Sequence, residues 1–102
     1  MDWKGSYMTS KQRAYLKGLA SSLAPIAQVG KASLTPEVIQ AVREAIDKRE
    51  LVKVSVLKNC FDDPREIADI LAERTRSQVV QVIGKKIVLY KPSKDKPKII
   101  LP

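Results

Sequence analysis

Few side chains in this sequence could act on a substrate. Among its 102 residues there is one cysteine, Cys60, and no histidine, which excludes a histidine triad, a zinc site of cysteines and histidines, and an internal disulfide. Without an imidazole to activate it, Cys60 reads as a small, partly buried side chain in a reducing compartment, so a cytoplasmic protein is expected. Asp62, Asp63 and Glu66 could be imagined as metal ligands or an acid and base pair, but capping of a helix start explains them. The abundant chemistry is cationic: 19 Lys and Arg against 11 Asp and Glu, a net charge of +8. Its candidate carriers are Lys11, Arg13 and Lys17 near the start, the stretch Gly30-Lys31-Ala32-Ser33, and Lys85, Lys86 and Lys91 near the end. Cations of this kind neutralise phosphates and release their condensed counterions, and nucleic acid is the commonest cellular polyanion. Gly30-Lys31 is no nucleotide-binding P-loop, since no glycine stands five residues before Gly30 and no Ser or Thr follows Lys31.

The excess charge is unevenly distributed. Residues 37–73 carry net −3, whereas the two flanks, 1–36 and 74–102, together carry net +11. If folding brings the flanks together, the positive field concentrates on one face, with Asp69 and Glu73 elsewhere. An anionic membrane surface would attract such a face as well. However, no apolar run approaches spanning length, the N-terminus lacks a signal-peptide core, and neither end carries a lipidation motif, so no membrane partner is expected.

The elements that must position these cations follow from periodicity and punctuation. Residues 1–8 lack any pattern and are set aside as a flexible N-terminal extension or expression remnant. A single domain is expected over 9–92, followed by a tail, 93–102, that could fray or add a short edge strand. Thr9 and Ser10 can cap a helix running to Leu23, with Leu16, Leu19, Ala20 and Leu23 on one stripe and Lys11, Arg13 and Lys17 toward water. Ile26 to Val29 is a short strand closed by Gly30. Thr35-Pro36 starts a second helix, with Leu34 and Ile39 spaced as a hydrophobic staple. Leu51 to Leu57 alternates as a half-buried strand, with Val52, Val54 and Val56 inside and Lys53 and Ser55 outside. Asp63-Pro64-Arg65-Glu66 predicts a capping box and a third helix that buries Ile67, Ile70 and Leu71 and ends near Thr75. Val79 to Ile83 and Ile87 to Tyr90 flank Gly84-Lys85-Lys86 as a hairpin with a type II′ turn, Tyr90 packing in the sheet. The order is αβαβαββ, an α/β domain with a mixed four-stranded sheet packed with helices.

Four separated stretches, KQRAYLKGLA, VGKASLTPEVI, ELVKV and VQVIGKKIVLYKP, occur in this order over roughly nine-tenths of the chain. On these residues the sequence resembles the CRM domain (chloroplast RNA splicing and ribosome maturation), in its bacterial stand-alone YhbY-type form. The resemblance implies a fold similar to the C-terminal domain of translation initiation factor three, in agreement with the order of elements above. It also implies RNA binding, in bacteria associated with maturation of the large ribosomal subunit. Family members carry a GxxG loop between the first strand and the second helix, where backbone N–H groups can approach phosphates closely. Here the loop is Gly30-Lys31-Ala32-Ser33, and Ser33 replaces the second glycine. Serine resists positive φ but keeps a hydroxyl donor.

The expectation is therefore a non-catalytic, monomeric ribosome assembly factor without metal, cofactor or small-molecule substrate, gripping precursor ribosomal RNA or pre-ribosomal particles through phosphates. The alternative is a protein-interaction module that docks on an assembly partner, its charge serving solubility. A small hydrolase is the weakest reading, for want of a nucleophile and base.

Overall fold

The computed structural model describes residues 8–93 and 97–102. Its elements are α1 (Ser10–Ala20), β1 (Ala27–Val29), α2 (Pro36–Arg49), β2 (Leu51–Val56), α3 (Pro64–Thr75), β3 (Gln78–Ile83) and β4 (Lys86–Tyr90). This is the expected order. The strands form one mixed sheet in the order β1-β2-β4-β3, with β1 parallel to β2 and both β2 and β3 antiparallel to β4. The second βαβ unit is thus split, because β4 lies between β2 and β3.

Alternation along the strands divides the core into two layers. Val52, Val54 and Val56 of β2 and Ile87 and Leu89 of β4 pack under α2 and α3, with Val42, Ile46, Ile67 and Leu71, and Cys60 is buried in this same cluster. Leu51, Val80, Val88 and Tyr90 point the other way and are covered by Leu16 and Ala20 of α1. Lys53 and Ser55, expected on an open face, therefore lie on the α1 side, where Ser55 is buried and Lys53 half-buried.

Local chemistry sets the helix ends. At α1, Thr9 and Gln12 form a reciprocal box, each side chain accepting the other's backbone N–H at 3.0 and 3.1 Å. The helix stops at Ala20 rather than Leu23. The Ser21 hydroxyl donates to the Gly18 carbonyl at 2.7 Å, and serine side chains compete in this way with helix propagation. Leu19 and Leu23 consequently stay more than a third exposed instead of joining the buried stripe. At α3 the predicted box closes only in part: the Asp63 carboxylate accepts from the Arg65 N–H at 3.2 Å, and Ile70 remains outside the core. The hairpin is as expected, with positive φ at Gly84 alone in its two-residue turn. A bulge at Val79–Gln81 inserts one extra residue into β3.

The tail adopts neither expected form over its described part. Residues 97–102 add no strand; they are anchored by Glu50, which is completely buried just past α2. Its carbonyl accepts from the Lys91 N–H at 2.8 Å, and its carboxylate accepts from the N–H groups of Ser93 (2.7 Å), Lys98 and Ile99 (2.9 Å). Burial pushes the Glu50 pKa up, but these three donors and the Lys98 charge outweigh it and hold the carboxyl below its ordinary value of 4.5. Ile99 and Leu101, with Met8 from the other terminus, then pack on the α1-side core. Met8 is thus part of the fold, while residues 1–7 of the expected extension lie outside the described residues.

Candidate nucleic-acid interface

The loop is built at the end of β1. Leu57 donates its N–H to the Val29 carbonyl at 2.8 Å, and the chain then turns through Gly30–Ser33, closed by the Ser33 N–H on the Gly30 carbonyl at 2.9 Å. Lys31 and Ala32 form the exposed tip, and among the described residues nothing accepts from their N–H groups. Gly30 is not required by packing. A Cβ there would meet Leu57 Cδ1 at 3.5 Å and Asn59 Oδ1 at 3.6 Å, ordinary contacts, and its φ is not positive. Ser33, in contrast, adopts φ +58°, the left-handed state that serine was expected to resist. Its hydroxyl donates to the Asp62 carboxylate, a charge-assisted bond that ties the loop to the β2–α3 turn and offsets the backbone cost. Beyond it, the Thr35 hydroxyl caps α2 by accepting from the Val38 N–H at 3.2 Å.

Because β1, β2 and β4 are neighbours, the turns at this end emerge together. The Lys85 carbonyl accepts from the Val56 N–H at 2.7 Å, so the hairpin turn abuts the end of β2. Strand spacing of about 4.8 Å then sets Lys31, Lys58 and Lys85 along an edge roughly 10 Å wide. Lys86 points to the α1 face, with its Nζ donating to Ser55 Oγ at 2.8 Å, and Lys17 borders the same groove.

The other sequence candidates have different positions. Arg13, expected to face water, is half-buried, and its Nη1 donates to the carbonyls of Val79 (2.9 Å) and Val80 (2.6 Å). These are the two bulge residues of the edge strand β3, so Arg13 fastens α1 to the sheet. Lys91 is at the opposite end of β4, paired with Asp47 at 2.9 Å. Lys11 is exposed in the first turn of α1, about 9 Å along the helix from Lys17. Sequence reasoning missed Lys58, in the turn beside the loop, and Phe61, which is 91% exposed next to Asp62. It also missed Lys53, whose charge disappeared into the net negative middle segment. A count by sheet face rather than by segment would have found it.

A four-stranded mixed sheet with α1 on one face, α2 and α3 on the other, and a bare-backbone turn among lysines defines a small α/β domain of one architectural class. Within that class the chain belongs to the CRS1/YhbY (CRM) domain family, which it matches over residues 8–91. It is 47% identical to the Bacillus subtilis "Probable RNA-binding protein YqeI" over 93% of this chain and 99% of that one. It is also 36% identical to a Haemophilus influenzae "RNA-binding protein", with 93% and 95% coverage. The solution structure of the hypothetical protein SAV1595 from Staphylococcus aureus superposes with a TM-score of 0.79 at 46% identity, covering 94% of this chain and all of that one.

Proposed function

We propose that this protein binds RNA through the loop end of its sheet and acts, without catalysis, as an assembly factor on precursor large-subunit ribosomal RNA in the cytoplasm. The observation that carries the reading is the Gly30–Ser33 turn, whose two N–H groups without an acceptor among the described residues and whose uncrowded glycine offer a phosphate an approach beside Lys31, Lys58 and Lys85. The names of the relatives support the RNA partner. Family resemblance supports the ribosomal destination, and the lack of any nucleophile and base pair in the sequence supports a binding rather than a catalytic role. No helix among the described residues is long and apolar enough to cross a membrane.

Contacts to phosphates position a ligand without specifying its bases. Discrimination therefore rests on shape, which favours folded RNA with its wide minor groove and 2′-hydroxyls over duplex DNA. Competition binding at physiological ionic strength tests this: structured ribosomal RNA is expected to displace a labelled RNA far better than duplex DNA of equal charge. Lys31→Ala is expected to cost no more than about 1 kcal/mol, equally across RNA sequences. Equal competition by DNA would reduce the protein to a general polyanion binder. Failure of both competitors, with no RNA bound, would favour docking on a protein partner.

A further inference from the structure

The geometry points to a second RNA-binding surface on the opposite side of the hairpin end: a groove between α1 and the sheet, centred on Lys53, that takes the phosphate backbone of a strand continuing past the loop. The inference rests on the RNA-binding reading above and extends it to residues outside the loop.

The groove, about 400 Å³, is bordered by Lys17 and Ser21 of the α1 end and by Lys53, Gln81, Ile83 and Lys86 of the sheet. It exists because α1 is short. Leu16 and Ala20 cover Leu51, Val80, Val88 and Tyr90, and the helix ends before reaching the hairpin half of that face. Strand register explains why the uncovered half is polar and cationic. Lys53 pairs with Val88, which pairs with Gln81, and in the next row Ser55 pairs with Lys86, which pairs with Ile83. Lys53 and Lys86 are therefore diagonal neighbours on adjacent strands, about 7–8 Å apart at the backbone. Lys53 is half-buried and enters no ion pair among the described residues. It also borders a second groove, about 510 Å³, on the other side of α1, where Arg49 and Lys98 join it.

Among the described residues, no acidic side chain borders either groove. That selects an anionic occupant. The C-terminal end of α1 does face the groove, but Ser21 already donates its N–H and hydroxyl to the last carbonyls. The residual half-charge of a helix end is small beside three ammonium groups. Lys53 is half-buried and has no carboxylate partner among the described residues, and a phosphate would supply the opposing charge. Lys86 is the bridge between sites: its side chain borders the groove, while the turn before it abuts the loop end.

The test uses the full chain, a labelled RNA hairpin bearing a single-stranded extension, and titrations over a range of salt. Lys53→Gln is expected to weaken binding roughly threefold and to flatten the salt dependence by about 0.7 in the log–log slope, the increment of one single-strand phosphate contact. Lys53→Arg should retain both, and Lys53→Gln combined with Lys31→Ala should give the product of the two losses, as distant sites do. Unchanged affinity and slope in a folded Lys53→Gln protein, with Lys31→Ala still harmful, would overturn the second surface and leave the loop reading standing. Absence of RNA binding by the unmodified chain would overturn both. Loss of binding to a polyglutamate peptide, with RNA affinity untouched, would assign the groove to an acidic protein partner and likewise overturn it.

Discussion

Ser33 in the β1–α2 loop and Glu50 after α2 both hold a left-handed backbone, at φ +58° and +65°, and both tie two segments together through a carboxylate. Their surroundings differ. Glu50 is fully buried, its carboxylate is engaged by three backbone donors of the tail, and its carbonyl holds Lys91. Ser33 belongs to a turn whose exposed tip has N–H groups that nothing among the described residues accepts. A positive φ thus serves stability in one place and leaves donors available in the other. Positive φ by itself does not mark a functional site; what separates the two is whether the neighbouring polar groups are already satisfied.

Breaking the buried member of this pair should have the largest effect. Glu50→Ala removes a carboxylate that satisfies three N–H groups and is expected to cost about 3 kcal/mol, read as a Tm lowered by roughly 15 °C. Glu50→Gly loses the same bonds but relieves the positive φ, so it should be about 1 kcal/mol less damaging than alanine. The pH dependence has a definite sign. Because the folded pKa of Glu50 lies below its ordinary value of 4.5, its contribution is fully present above that value and is lost as pH falls through the folded pKa. Glu50→Gln should therefore flatten the acid limb of the stability profile. An unchanged acid limb would mean the carboxylate is not the anchor.

A smaller effect is expected at Arg13, the cation that the sequence grouped with Lys11 and Lys17. Arg13→Ala leaves the bulge carbonyls of Val79 and Val80 without their donor and should cost about 1.5 kcal/mol in denaturant titrations, whereas Lys17→Ala should stay within about 0.5 kcal/mol. RNA affinity should respond in the reverse order. If Lys17→Ala destabilised the fold while Arg13→Ala did not, the division of α1 into a fastening residue and a ligand-facing one would be wrong.

These contrasts explain what was legible in the sequence. Element order, the Thr35-Pro36 and Asp63-Pro64 starts and the glycine of the hairpin were readable because each rests on local chemistry within four residues. The role of Arg13 and the anchoring of the tail by Glu50 were not readable, since each joins residues more than forty positions apart, and the bulge was not, since no glycine or other local signal marks it within Val79–Gln81. Lys53 fell between these cases. Its alternation with Val52 and Val54 placed it on the correct face, but nothing local announces that α1 ends early and leaves that face partly open. Of the candidate site, the loop, Lys85, Lys86 and Lys17 fall at one end, while Lys91 and Arg13 do not, because charge counted along a chain carries no information about which carboxylate or carbonyl folding brings to it.

The smallest effect expected comes from Asp62, the acidic partner in the exposed member of the pair. Its carboxylate lies beside the loop that would receive a phosphate, held there by the Ser33 hydroxyl. Like charges at an exposed site repel only weakly through water and salt, by a few tenths of a kcal/mol. Asp62→Asn keeps a hydrogen-bond acceptor for Ser33 and removes the charge, so RNA affinity should rise about twofold at low salt, and the gain should vanish as ionic strength increases. Ser33→Gly provides the complement. Losing the hydroxyl bond and losing the left-handed strain should nearly cancel in stability, to within about 0.5 kcal/mol, with RNA binding preserved or slightly improved because the backbone approach widens. A large loss of binding by folded Ser33→Gly would mean that the serine hydroxyl itself contacts RNA. A fall in affinity with Asp62→Asn would mean that the tether between the two turns, rather than the bare backbone, is what the ligand needs.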